Sequence, residues 1–568
     1  MAVKSLDKEQ KQNASDKQKE SIAKEACSYD EVPYESLPFR HSHIDRMAVV
    51  ASLYGMSPAP VANCSVLEIG SAAGGNIIPM AVSYPESKFL GIDLSSRQVD
   101  DGKAIVEELG LENIEIRHQN IMDLPVDQKY DYIICHGVYS WVPDFVADKI
   151  LQICQEQLNP HGIAYISYNV YPGWSFRGAI RNMMLYRTKG EPDPTAKLDK
   201  ARGLVNFLGN ATKQLASADV GPYAIKSYEL LLAEEAQFLR SQRPDYLLHE
   251  HLSDDNQPIF FWEFIERCDR RGLKYLSESE YSTTRLTNLS KEVQDELPKM
   301  SANVLELEQY MDFVRNRTFR QTLLCRKEVE LSRETRLGSE SKVVLNTPDV
   351  KLEAVKNLHV ATPAKPNAPV SCASRESSTF VLGGSTFATS NPLIKAAFLY
   401  MSEIWPASTP FSELLREARS RVAPSTVQDA SAAEQEAQLL CSDLLLAYGI
   451  NLLQFRFAGD TFTAKVSDRP KASATARYQS KKNVARLTNQ LHELSDSDVF
   501  SRNVMTLLDG TLDREGLLQE LAKLVANGTL VLHKEGRQVG EGDEMMQILD
   551  RYLSDALPRI AHASLLVG

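Results

Sequence analysis

From residue 66 onward, short apolar runs alternate with stretches of helical periodicity. Val66 to Ile69 is an apolar run holding one acid, Glu68, and it breaks into Gly70-Ser71-Ala72-Ala73-Gly74-Gly75. NIIPMAVSYP reads as a helix ended near Pro85, KFLGIDLS as a second strand, and Ser96 to about Leu109 as a helix. IEIRHQNIMD supplies a third strand and its turn, and DYIICHG a fourth. A helix through Asp144 to about Leu158 and a fifth strand, GIAYISYN, complete the run. Strands separated by helices at this spacing predict an α/β fold with a doubly wound parallel sheet.

After Trp174 the rhythm changes. Residues from about 176 to 255 read as a helical insertion. PIFFWEFIERCDRRGLKYLSESEY then predicts a helix feeding a strand, and NRTFRQTLLCRK another strand. These are expected to close the same sheet, with a separate small domain as the alternative. One domain is thus expected over 28–330, after a polar tail at 1–27 that lacks the apolar core of a secretory signal. A Pro-, Ala- and Ser-containing stretch at 331–378 suits a linker. The remainder, 379–568, is mainly helical. Its segment NVMTLLDGTLDREGLLQELAKLVANGTLVLHKEG reads as helix, turn, helix and strand pair, a winged-helix pattern.

Composition narrows the function. Lys plus Arg number 63 against 75 Asp plus Glu, a formal charge of -12. A nucleic-acid partner is not expected, because a polyanion needs a basic face to release its counterions. The winged-helix segment carries its own acids (Asp509, Asp513, Glu515, Glu520), which favour protein contacts over DNA. The eight cysteines are dispersed without metal-site spacing, so the reading is a reduced, cytoplasmic protein with core thiols and no metal. His249-Glu250-His251 reads as a polar helix end. No run of 18 apolar residues predicts a membrane span. The basic run 469–486 reads as a solvated loop or a docking patch for an acidic protein.

The break after Ile69 carries candidate chemistry. Gly70 and Gly74 bracket a strand-to-helix turn where backbone can approach a ligand, and the helix beyond offers unpaired N–H groups. A dinucleotide loop is G-x-G-x-x-G. Here Ala72 takes the middle position and Glu68 precedes Gly70 by two residues, so E-x-G-x-x-x-G points to S-adenosylmethionine (AdoMet). Asp93, ending the second strand, is placed to accept ribose hydroxyls, while Ser95 and Ser96 can cap the next helix. Asp123, beside Met122, is placed to meet the adenine amino group. Ser71 and Asn76 of the turn join the cofactor candidates, as does His136, which suits a structural donor as well as a catalyst.

Two aromatic clusters follow strands four and five: His136-Gly-Val-Tyr139-Ser140-Trp141 and Tyr168-Asn169-Val-Tyr171-Pro172-Gly-Trp174. Ligands of open α/β sheets bind at the strands' carboxyl ends. Methyl transfer to a lysine requires a neutral amine. With a reference pKa near 10.4, neutralising lysine at pH 7 costs about 4.6 kcal/mol. Burial in an aromatic slot lowers that pKa, and aromatic faces attract ammonium groups. Tyr139, Trp141, Tyr168 and Trp174 are the slot candidates, with Asn169 or a tyrosine hydroxyl aiming the amine.

YDEVPYESLPF (29–39), HSHIDRMA, VLEIGSAAGGNIIPMA, YDYIICHGVYSWVP and GIAYISYNVYPGW together resemble bacterial protein lysine methyltransferases of the rickettsial outer-membrane-protein type. YMDFVRNRTFRQTLLCR (310–326) is similar to the methyltransferase regulatory region found with them, and RPKASATARYQ and LLDGTLDREGLL extend the likeness towards the C-terminus. The resemblance implies a Rossmann-like class I AdoMet domain, a helical dimerisation region and hence a homodimer, and middle and C-terminal domains. It implies N-methylation of lysines on outer-membrane or other proteins. By the same resemblance Tyr29, Tyr34 and Ser36 belong to a lid over the cofactor. Glu68, Gly70, Asp93 and Asp123 then bind AdoMet, and Trp141 and Asn169 face the lysine. The alternatives are a methyltransferase acting on a small molecule or another nucleophile, and a non-catalytic AdoMet-binding adaptor.

Overall fold

The computed structural model describes residues 30, 33–217, 224–253, 255–335, 350–422, 430–534, 537–539 and 542–568. Five parallel strands form the centre: β1 (Ser65–Ile69), β2 (Lys88–Asp93), β3 (Ile114–His118), β4 (Tyr130–Cys135) and β5 (Leu158–Asn169). β7 (Phe319–Arg326) runs antiparallel between β5 and β6 (Leu273–Glu278), giving the order β3-β2-β1-β4-β5-β7-β6. Leu67 pairs with Leu90 on one side and Ile133 on the other. Strand order reverses between β1 and β4, which opens a crevice at their carboxyl ends where such sheets bind ligands. The closing strands therefore belong to the same sheet, as their sequence suggested.

Local signals set the helices. Around the sheet lie α1 (Ile44–Leu53), α2 (Ile77–Ser83), α3 (Ser96–Leu109) and α4 (Asp144–Gln157). Ser95 caps α3, its hydroxyl accepting from the Gln98 N–H, and Gly110 at φ 65° ends it. A Ser cap contributes about 1 kcal/mol and here frees Asp93 for other work.

The insertion between β5 and β6 is α5 (Trp174–Thr188), α6 (Pro194–Ser217) and α7 (Ala224–Ser241). It has its own core, built on Ile180, Met184, Val205, Leu232 and Ala236. A π-helical turn, Leu247–His251, leads back towards the sheet. α8 (Phe261–Arg270), α9 (Lys291–Met300) and α10 (Val304–Arg315) then flank β6 and β7. Arg320 of β7 is fully buried and binds Glu278, Glu308 and Asp312, tying both closing strands to α10.

Of the linker expected at 331–378, residues 336–349 lie outside the described residues. Residues 350–378 include a short helix, Leu352–Val355, and a strand, His359–Ala361. Val355, Leu358 and Val360 are buried in the core shared with the following helices, α11 (Pro392–Ile404), α12 (Phe411–Val422) and α13 (Ala430–Gly449). Its Pro and Ala content masked a buried apolar triad.

The C-terminal domain holds α14 (Ala474–Lys481), α15 (Val499–Leu507), α16 (Arg514–Ala526), a short ribbon His533–Lys534/Arg537–Gln538, and α17 (Asp543–His562). The basic run is therefore not a free loop. Ser473 caps α14, which packs on α2 and α3, and Lys482 Nζ lies 3.0 Å from Glu108 Oε2. Among the described residues, no helix is long and apolar enough to cross a membrane.

Candidate active site

The turn after β1 is shaped by three left-handed residues, Gly70 (φ 74°), Ala72 (φ 48°) and Gly74 (φ 77°). A Cβ on Gly70 would stand 2.4 Å from Val138, so glycine is required there on steric grounds as well. The Asp93 carboxylate braces the turn. Its Oδ2 accepts from the Ala72 N–H at 2.8 Å and its Oδ1 from the Ser95 N–H at 2.9 Å. Burial raises the Asp93 pKa against these opposing hydrogen bonds.

Glu68 lies inside the sheet, 3% exposed. Asn76 Nδ2 donates to its Oε1 at 2.6 Å, while Oε2 and the nearby Ser71 hydroxyl are buried without a partner among the described residues. Burial pushes the Glu68 pKa up to about 8; the Asn76 bond opposes the shift and the Asp93 charge adds to it. An ordinary core does not leave a carboxylate oxygen so exposed to penalty. A ligand amino group is the donor that this oxygen fits.

One cavity of about 610 Å³ joins this turn to the ends of β4 and β5. Glu68, Gly70, Ser71, Asn76 and Asp93 line one part, with Gln119, Asn120 and Ile121 beyond β3. Trp141, Asn169 and Trp174 line the other part, opposite Tyr246, His249 and Glu250. Trp141 and Trp174 meet edge to face, their centroids 6.1 Å apart. Asn169 is held by two contacts: its backbone N–H donates to Ser140 Oγ at 2.8 Å, and its Nδ2 to Asn256 Oδ1 at 3.3 Å. Burial raises the Glu250 pKa to about 8, which Arg177 partly offsets. His136 also lines the cavity, its ring tilted against Phe39 at 3.8 Å, with Nδ1 2.9 Å from the Tyr165 hydroxyl; burial holds its pKa down at about 3.

Three family patterns match the chain. The description "Methyltransferase domain" matches residues 60–191, "Predicted methyltransferase regulatory domain" 243–326, and "PKMT, C-terminal winged helix domain" 468–565. The uncharacterized protein RP789 of Rickettsia prowazekii is 32% identical over 545 residues, spanning 95% of this chain and 93% of its own. The structure of PKMT2 from Rickettsia typhi in complex with AdoHcy superposes with a TM-score of 0.79 at 26% identity, over 94% of this chain and all of that one. The chain belongs to the PKMT family. It is an AdoMet-dependent protein lysine methyltransferase.

Within this PKMT fold the sequence-derived candidates separate into two groups. Tyr34, Ser36, Glu68, Gly70, Ser71, Asn76, Asp93, His136, Trp141, Asn169 and Trp174 all line the one cavity. Ser36 Oγ accepts from the Gly75 N–H at 2.7 Å, which lays the N-terminal segment across the turn. Tyr29 lies outside the described residues.

Tyr139, Tyr168, Met122 and Asp123 do not line the cavity. Tyr168 neighbours Asn169 on one strand, so the two side chains leave opposite faces of the sheet. It stacks on Phe264 at 4.0 Å, and Tyr139 meets the same ring edge-on at 5.3 Å. Beyond β3, Asn120 Oδ1 accepts from the Met122 N–H and starts a tight turn. That turn leaves Asp123 exposed and presents Gln119 to Ile121 instead.

Residues from the insertion were missed. His249 and Glu250, a polar helix end by sequence, both line the cavity. His251 is 1% exposed and stacks on Trp174. The signal was a charged triplet within an otherwise amphipathic helical block, and spacing rules do not anticipate a π-helical turn.

Proposed function

We propose that this one cavity brings a protein lysine side chain to the methyl donor, with the turn after β1 as donor seat and the rim of β4 and β5 as acceptor slot. The carrying observation is the continuity of the cavity from Glu68 and Asp93 to Trp141, Asn169 and Glu250. Glu68 Oε2 and Ser71 would hold the amino-acid tail of AdoMet, Asp93 its ribose, and Gln119 to Ile121 the adenine. AdoMet, when bound, supplies an electrophilic methyl on a sulfonium.

This chain's own residues would then manage the amine. Trp141 and Trp174 form an apolar, π-rich wall that draws in an ammonium and excludes water. Asn169 Oδ1 can accept from it, since the amide nitrogen is committed to Asn256. Glu250, its pKa raised to about 8 by burial, takes the departing proton in its ionised form. We further propose a homodimer through the insertion, where Tyr186, Phe207 and Leu230 stay largely exposed, and a reducing, cytoplasmic setting, consistent with free cysteines such as Cys135 and Cys268. An outer-membrane or other surface protein is the proposed acceptor, by the family resemblance.

The test is incubation of the full-length protein with tritiated AdoMet and denatured surface proteins, followed by peptide mass spectrometry. Methylated lysine side chains are expected. Label confined to small molecules would refute the acceptor assignment.

A further inference from the structure

The cofactor turn touches a residue from the far end of the chain. His492 Nε2 lies 2.7 Å from Asn76 Oδ1, a contact between residues 416 positions apart. His492 is 2% exposed and does not line the cavity. It sits in the loop joining the strands Arg486–Thr488 and Leu494–Asp496 of the C-terminal domain. Asn489 shapes that loop, its Oδ1 accepting from the Leu491 and Glu493 N–H groups, and His492 takes a left-handed conformation at φ 60°. The imidazole packs on His43 at 4.9 Å. Gln490 Oε1 accepts from Ser83 Oγ, and Glu493 pairs with Arg40, so the whole loop is seated on the catalytic domain.

We infer that His492 is a positioning residue of the cofactor site, delivered by the C-terminal winged-helix domain to set the orientation of Asn76 and, through it, of Glu68. Donors and acceptors around the Asn76 amide match in one orientation. Asn76 Oδ1 faces the His492 ring nitrogen and the Phe39 N–H, at 2.7 and 2.9 Å. Its Nδ2 faces Glu68 Oε1 at 2.6 Å and Ser42 Oγ at 3.0 Å. Turning the amide over would set two donors against a donor and a carbonyl against a carboxylate. With Nε2 carrying the proton, His492 locks the amide with its nitrogen on Glu68, leaving Oε2 as the oxygen presented to the ligand. By thermodynamic reciprocity, cofactor binding must tighten the seating of the C-terminal loop as much as the loop tightens the cofactor.

This inference rests on the AdoMet reading of the cavity, and the experiment separates the two. AdoHcy affinity is measured by calorimetry on the full-length wild type and on His492→Asn, His492→Gln and Gln490→Ala. Asn tolerates the left-handed backbone but is too short to reach Asn76, whereas Gln keeps a donor at similar reach. A roughly tenfold or greater rise in Kd is expected for His492→Asn, with KM for AdoMet rising and KM for the acceptor protein unchanged. His492→Gln should recover to within about threefold of wild type, and Gln490→Ala, which removes the Ser83 contact but leaves the loop seated through Arg40 and Asn76, should stay within about twofold. As a measurement that needs no variant to fold, AdoHcy should slow amide exchange over residues 487–494 of the wild type. Wild-type affinity in His492→Asn, equal losses in Gln490→Ala, or unchanged exchange would each overturn the inference. Failure of the wild type itself to bind AdoHcy would overturn the cofactor reading beneath it.

Discussion

Asn76 Nδ2 donates a 2.6 Å hydrogen bond to Glu68 Oε1, and the other carboxylate oxygen of Glu68 is buried with no partner among the described residues. Half of this carboxylate is thus structural and half is held ready. Its burial has a proton consequence. The folded chain keeps the Glu68 proton from the ordinary carboxyl range up to about pH 8. That contribution to stability is complete below the unfolded pKa of 4.5 and is lost as pH rises through about 8.

An ammonium placed on Oε2 favours the ionised acid, so binding of AdoHcy below pH 8 should release close to one proton from Glu68. Calorimetry in two buffers of different ionisation enthalpy measures this directly. Affinity should rise with pH towards 8. In Glu68→Gln both the proton release and that slope should vanish, with affinity about 10- to 100-fold weaker, the worth of a charged hydrogen bond. A proton count unchanged by the substitution would remove Glu68 from the cofactor seat.

Gly75 tests the N-terminal segment. A Cβ there would stand 2.2 Å from the Ser36 carbonyl oxygen and 2.8 Å from the Leu37 nitrogen, both backbone atoms that cannot swing aside. Gly75→Ala should therefore lift residues 34–37 off the turn and break the Gly75 N–H to Ser36 Oγ bond. AdoHcy Kd is expected to rise about tenfold, the worth of one such bond and its cover, while Tm falls little. Unchanged affinity would mean that the segment does not cover the ligand.

What the sequence disclosed, and what it hid, follows from the range of each signal. Val66 to Ile69, Asp93 and the Ser95 cap act within a few residues, so strand, turn and acid could be read together. Alternation along β5 was legible too, but converting it into cavity contacts requires knowing which face the crevice uses. Tyr168 therefore fell on the wrong side of Asn169. The 350–378 stretch lost its strand signal because Val355, Leu358 and Val360 are scattered among prolines and polar residues. Glu250 and His492 depend on packing between segments far apart in the chain. No local pattern marks a residue whose partner is hundreds of positions away.

Glu250 gives the sharpest test of the acceptor slot. Glu250→Gln keeps the shape and removes both the charge and the proton-accepting capacity. It should leave AdoHcy affinity within about twofold and lower kcat/KM for a lysine-bearing protein by about 10²-fold, in the range of general-base loss. The residual activity should rise with pH as more of the free lysine is neutral, whereas the wild type should level off above pH 8, where Glu250 is already ionised. Parallel pH profiles for the two proteins would exclude Glu250 as proton acceptor.

Arg320 supports the site from beneath. Its guanidinium contacts Asp312 at 2.8 and 2.9 Å, Glu278 at 2.6 Å and Glu308 at 3.1 Å, and it lies 3.9 Å over the Phe261 ring. Glu278 Oε1 also accepts from Thr322 Oγ1, which meets the Tyr168 hydroxyl at 3.1 Å. Tyr168 thus reads as an anchor between the ion cluster and the aromatic core. Arg320→Met would leave Glu278 and Glu308 buried without their cation and Asp312 with only Arg317, at 3.3 Å. Breaking a buried cluster of this kind costs about 3–5 kcal/mol. The variant should show a markedly lower Tm at neutral pH, and the deficit should shrink in mild acid, because protonation removes the uncompensated charge. Adding Glu308→Gln to Arg320→Met should recover part of the loss, since Glu308 is fully buried and burial already raises its pKa. A Tm equal to wild type in Arg320→Met would show that water reaches the cluster and that the closing strands are held by β-pairing alone.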